Sequence, residues 1–136
     1  MKRKILLALC IVLVGIAAAD DHHVGMKENR PDAKVFQWGD SRAGDCHLDG
    51  TLVIRPDGSA SFDADVWTHT HGNDVWHSVI TLHGPGGELG NSGSHDSPRM
   101  PHNHDGPGNK KHLHYDFHFD PSNFGRITEA VEHGSC

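Results

Sequence analysis

Residues 112–120 read H-L-H-Y-D-F-H-F-D. His112, His114, Asp116, His118 and Asp120 alternate with Leu113, Tyr115, Phe117 and Phe119. Successive side chains on a strand point to opposite faces, so this stretch predicts an extended strand with one apolar and one polar side. A helix would need its apolar residues three and four apart.

The same period of two recurs upstream. Leu48, Leu52 and Ile54 share one face of a first strand, and Pro56-Asp57-Gly58 is a turn signal. Phe62, Ala64 and Val66 then face inward, with Asp63, Asp65, Trp67, His69 and His71 outward. A turn at 72–74 leads to Trp76, Ser78, Ile80 and Leu82 on an inner face, opposite His77, Val79, Thr81 and His83. Gly84-Pro85-Gly86-Gly87 turns the chain again, and a short strand is expected near Glu88-Leu89. Residues 90–110 are loop by composition. In the tail, Ile127, Glu129 and Val131 alternate, which favours a last strand over a short helix. Short strands separated by turns every 8–12 residues predict an all-β domain. The expected form is a small antiparallel β-sandwich or flattened barrel of about six strands.

The amino terminus has another character. Lys2, Arg3 and Lys4 precede an apolar run from Ile5 to Ile16, and Ala17-Ala18-Ala19 supplies the small residues of a cleavage site. This pattern predicts a secretory signal peptide over residues 1–19; the run is too short for a membrane span. Residues 20–34 are polar and aperiodic and read as a flexible acidic, histidine-bearing leader. The β-domain is then expected over 35–136, in a secreted or periplasmic protein with no membrane span after processing.

Processing would remove Lys2, Arg3 and Lys4 and take the formal charge from −6 to −9. So acidic a chain lacks the cationic face that nucleic acid requires. Cys10 would leave with the signal, so that Cys46 and Cys136 remain. In an exported chain an even pair reads as a disulfide. Closing so long a loop is worth ~4–5 kcal/mol in the chain-entropy model.

Phe36-Gln-Trp-Gly-Asp40, Gly44-Asp-Cys46, Asp57-Gly58, Asp74-Val-Trp76 and Asp96-Ser-Pro-Arg-Met100 together resemble a family of small secreted bacterial all-β domains of unknown function. The resemblance spans roughly residues 35–136. It implies the all-β fold and the Cys46–Cys136 bond, and no activity.

Fourteen histidines in 136 residues remain to be explained. Residues i and i+2 on a strand share a face, so a His-x-His pair can converge on one ion. His69/His71 and His112/His114 are such pairs. A tight hairpin at 72–74 would bring His77 beside His71, while Asp116 and His118 extend the second set. Imidazole with carboxylate suits Zn, Cu or Ni. His102 and His104 form a further cluster in the loop. Cleavage after Ala19 would also place His22 third from a free amine, the arrangement of a square-planar Cu(II) or Ni(II) site.

These features predict an exported, non-catalytic protein that binds a divalent transition metal for sequestration, delivery or sensing. His-x-His strands occur in cupins, but residues 72–76 after His71 hold no glutamate, and no G-x-S-x-G elbow is present. One alternative is a module for a glycan or another extracellular protein, using an exposed Trp67 with Asp65. Another is a pH-responsive interaction domain built on clustered imidazoles. A third is a polar sheet face with no ligand at all.

Overall fold

In the computed structural model, residues 20–69, 74–101 and 110–136 are described. Among the described residues, nine strands make one antiparallel sheet. They are β1 (Asp20–Asn29), β2 (Lys34–Ala43), β3 (Cys46–Ile54), β4 (Ser59–Thr68), β5 (His77–Gly84), β6 (Gly87–Asn91), β7 (His95–Asp96), β8 (Lys111–His118) and β9 (Glu129–Ser135). The order across the sheet is β6-β5-β9-β1-β2-β3-β4-β8, with β7 beside β5. The sheet curls into a half-barrel, so the flattened barrel is the form adopted. No helix among the described residues is long and apolar enough to cross a membrane.

Burial follows the predicted alternation on four strands. Leu48, Leu52 and Ile54 on β3, and Phe62, Ala64 and Val66 on β4, point into the core. Ser78, Ile80 and Leu82 on β5, and Leu113, Tyr115 and Phe117 on β8, do the same. Trp38 and Trp76 are buried with them. Leu, Ile and Phe side chains sunk in this way each contribute about 1.5–3 kcal/mol of apolar transfer.

The strand count exceeds the expected six, because three strands carry weak patterns. The leader expected over residues 20–34 is mostly β1. Its inner residues are His22, Val24 and Met26, too polar to announce a core strand. β1 also divides its length between two partners. Asp20 to Gly25 pair with β9, and Met26 to Asn29 pair with β2. On β2 a register shift between Trp38 and Ser41 breaks the period that Phe36 and Trp38 begin. β7 is two residues long.

The tail is a strand, as expected. Ala130, Glu132 and Gly134 occupy the inner positions of β9. Before it, Pro121–Arg126 form a 3-10 helix capped by Asp120, whose carboxylate accepts from the Ser122 backbone N–H. The buried Lys34 ammonium donates to the Phe124 and Ile127 carbonyls and ties that helix to β2. Cys46 and Cys136 form the expected disulfide, 90 residues apart in sequence.

β4 and β5 are not partners. β4 pairs with β3 and β8, while β5 pairs with β6, β7 and β9. β4 and β5 therefore lie in different halves of the sheet, which decides how the histidines on them are distributed.

Candidate functional site

β4 and β8 pair in a register that sets Asp65 opposite His112, Asp63 opposite His114 and Ser61 opposite Asp116. All face outward. His112 Nε2 lies 3.0 Å and His114 Nδ1 2.8 Å from Asp63 Oδ1, so one carboxylate oxygen receives two imidazoles. His112 Nδ1 is 3.4 Å from Asp65 Oδ1, and His114 Nε2 is 3.4 Å from Asp116 Oδ2. Ser61 donates to the other Asp116 oxygen at 2.6 Å. β3 adds Asp49, directly across from Asp65. A shallow open depression runs between Asp49, Thr51, Asp63, Asp65 and His112.

The electrostatics follow from these contacts. The hydrogen bond to Asp63, and then its charge, raise the His114 pKa above the usual 6.5. Asp116 is held below the ordinary carboxylate value chiefly by the Ser61 hydroxyl, with His114 adding to the effect. The face therefore keeps ionised carboxylates beside imidazoles. Such a set can hold a proton or, once the imidazoles are deprotonated, a divalent cation.

The other predicted ligands are scattered. His77 lies on β5, in the far half of the sheet, and bonds Asp96 at 2.6 Å. His69 sits past the end of β4 and packs edge-on against His47. His118 is at the opposite end of β8, across from Ser59. His71, His102 and His104 lie outside the described residues. His69 follows β4 and His77 begins β5, and these two strands are not partners.

His22 is also committed elsewhere. Its Nδ1 is 3.2 Å from Glu132 Oε1 and its Nε2 2.9 Å from the Arg42 carbonyl. The backbone around it pairs with β9. A square-planar site would need that ring and the preceding amides, so it is incompatible with β1 in place.

Trp67 does point outward, as its register predicts. Its ring is nevertheless covered from both flanking strands. His47 on β3 stacks on it at 5.1 Å with the planes 10° apart, and the Lys110 ammonium sits 4.8 Å from its centroid on the β8 side. Asp40 holds His47 at 2.6 Å. Sugar stacking needs an open indole face, and here His47 and Lys110 occupy that place.

Two parts of this chemistry were not read from the sequence. Asp63 was seen only as an outward residue, since its meeting with His112 and His114 depends on pairing across almost fifty residues. Glu132 was missed altogether. It is fully buried, and its Oε2 accepts from Trp76 Nε1 at 3.0 Å and Ser78 Oγ at 2.8 Å. Tyr115 OH lies 2.9 Å from Ser78 Oγ. Because the Ser78 proton goes to Glu132, the tyrosine is the donor of that bond. Burial raises the Tyr115 pKa, which keeps the phenol protonated for it.

Among the described residues, one group of three metal-type ligand atoms lies mutually within 4.8 Å: Cys46, Asp74 and Cys136. Both sulfurs there are spent in the disulfide, which leaves no thiolate to bind a metal.

Residues 51–136 match a family described as a family of unknown function, DUF6294. The chain belongs to that family, in keeping with the expected membership of an uncharacterised domain family. No curated protein and no solved structure matches it.

Proposed function

We propose that this chain is an exported, non-catalytic binding protein that takes a divalent transition metal, Zn(II), Cu(II) or Ni(II), on the outer face of β4 and β8. One observation carries the reading: His112 Nε2 and His114 Nδ1 both converge on Asp63 Oδ1. Two imidazoles and a carboxylate are a common donor set for these ions. Asp65 and Asp116 lie beside them and would orient the rings or complete the shell. The half-exposed face lets an ion arrive and leave, which suits sequestration, delivery or sensing. Export is supported by the signal-like residues 1–19 and by the disulfide.

Calorimetry on tag-free protein starting at Asp20 tests the reading. Micromolar binding of at least one of the three ions is expected, worth about 8 kcal/mol. His112→Ala/His114→Ala should remove one equivalent while the disulfide and circular dichroism stay unchanged. Affinity no tighter than about millimolar for all three ions, or unchanged stoichiometry in the double variant, refutes it.

A further inference from the structure

The other half of the sheet carries a second imidazole pair, independent of the first. β5 and β9 pair with Val79 opposite His133, Thr81 opposite Val131 and His83 opposite Glu129. Thr81 and His83 are two residues apart on the outer face, and His133 lies diagonally across from Thr81. Both rings lean toward the threonine. His83 Nε2 is 2.7 Å and His133 Nε2 2.9 Å from Thr81 Oγ1. The two nitrogens can therefore be no further apart than those two bonds laid end to end. Thr81 is buried beneath them, while both imidazoles keep part of their surface in solvent.

The hydrogen bonds fix the protons. His133 Nδ1 is 2.6 Å from Asp21 Oδ1 on β1. A carboxylate only accepts, so Nδ1 carries the proton and, in the neutral ring, Nε2 presents a lone pair toward Thr81. The single Thr81 proton goes to that lone pair. His83 must then donate its Nε2 proton to the threonine oxygen. A carboxylate holding the far nitrogen of an imidazole is the arrangement that orients a histidine for a metal.

We infer that His83 and His133 form a second binding site for a divalent transition metal, with Asp21 orienting His133. An ion entering above Thr81 would displace the Thr81 hydroxyl proton from the His133 Nε2 lone pair and take that lone pair itself. His83 would shift its ring proton from Nε2 to Nδ1 through solvent and offer Nε2 as the second ligand. Water would fill the remaining positions; Glu129, opposite His83 on β9, is bonded to His23. Two imidazoles with oxygen donors suit Zn(II), Cu(II) and Ni(II), and neither nitrogen is tied up by a carboxylate as in the β4–β8 cluster.

The test uses Zn(II) alone, on the His112→Ala/His114→Ala protein, so that the β4–β8 face cannot contribute. Calorimetry should still show one equivalent bound. Adding His83→Ala or His133→Ala should abolish it, and Asp21→Asn should weaken it 10–100-fold. Circular dichroism and the intact disulfide report folding, and His83→Gln replaces the alanine variant if that one unfolds. The inference is overturned if the double variant binds no Zn(II), or if loss of His83 or His133 leaves the remaining binding unchanged. Either result leaves the β4–β8 reading standing, because that reading is judged by the equivalent lost with His112 and His114.

Discussion

His22 and Glu132 meet 110 residues apart in sequence, ring nitrogen to carboxylate oxygen at 3.2 Å, with the glutamate fully buried. The Arg42 carbonyl only accepts, so His22 Nε2 carries a proton. One more proton lies between Nδ1 and Oε1. Trp76 and Ser78 also donate to Glu132. The pair clamps β1 to β9 within the stretch over which those two strands are partners. Glu132→Ala should strip three donors of their acceptor at once. Breaking a buried pair in this way costs about 3 kcal/mol. Thermal melting should show a drop in Tm on the order of 10 °C. A loss of only a degree or two would mean that water replaces the carboxylate at no cost.

The same pair sets a pH dependence. The hydrogen bond to Glu132 raises the His22 pKa, outweighing its partial burial, with the Arg42 carbonyl adding to the rise. A histidine whose folded pKa lies above 6.5 contributes stability that is complete below that pH and fades as pH climbs through the folded value. His114 acts in the same direction. At the acid end, Asp116, Asp57 and Asp120 have lowered pKa values set first by hydrogen bonds from Ser61, Ser59 and Ser122. Their contribution is lost as pH falls below about 4. Urea unfolding should therefore give the highest stability between roughly pH 4 and 6.5 and a decline toward pH 8. His22→Asn should flatten that decline. An equally steep decline in the variant would show that other histidines cause it.

The buried glutamate also shows where sequence reading runs out. β3, β4, β5 and β8 were legible because polar and apolar residues alternate on them, and Trp67 faces outward as that alternation requires. β9 announces no inner face in the sequence, because its inner residues are Ala130, Glu132 and Gly134. Nothing in a period-two count marks a glutamate as internal; only Ser78 on β5, Trp76 just before it and His22 on β1 make it so. The candidate site divides the same way. His112 and His114 follow from local spacing. Their partner Asp63 depends on the β4–β8 register, and the grouping of His71 with His77 assumed a hairpin that the crossover between β4 and β5 replaces. Long-range pairing of this kind carries no local signal.

Gly134 is the counterpart of Glu132 on β9. A Cβ built there would stand 2.4 Å from Trp76 Cζ2 and 2.8 Å from Glu132 Oε1. The indole lies against the bare backbone and reaches its carboxylate acceptor from that position. Gly134→Ala must push Trp76 away and lengthen the Nε1 bond to Glu132. Overpacking of this kind costs about 1–3 kcal/mol. The expected signs are lower stability in urea and a red-shifted tryptophan emission as the indole gains solvent. Gly86→Ala, where a Cβ meets nothing within 4 Å, serves as the control and should change neither.

The proton and a metal ion would compete for the same nitrogen on β8. His114 Nδ1 donates to Asp63 when protonated, and that bond is the main cause of its raised pKa. Binding a metal there requires the ring to lose its proton, so affinity should rise with pH through the His114 titration and level off above it. Side-chain NMR should show His114 titrating above 6.5, and Asp63→Asn should bring it down, since the amide keeps the shape but not the charge. The same substitution removes one donor from the proposed set, so metal affinity should fall by at least tenfold. A His114 pKa that does not move in Asp63→Asn would mean the hydrogen bond is not kept in solution. The carboxylate that draws His112 and His114 together would then lose its place in the site.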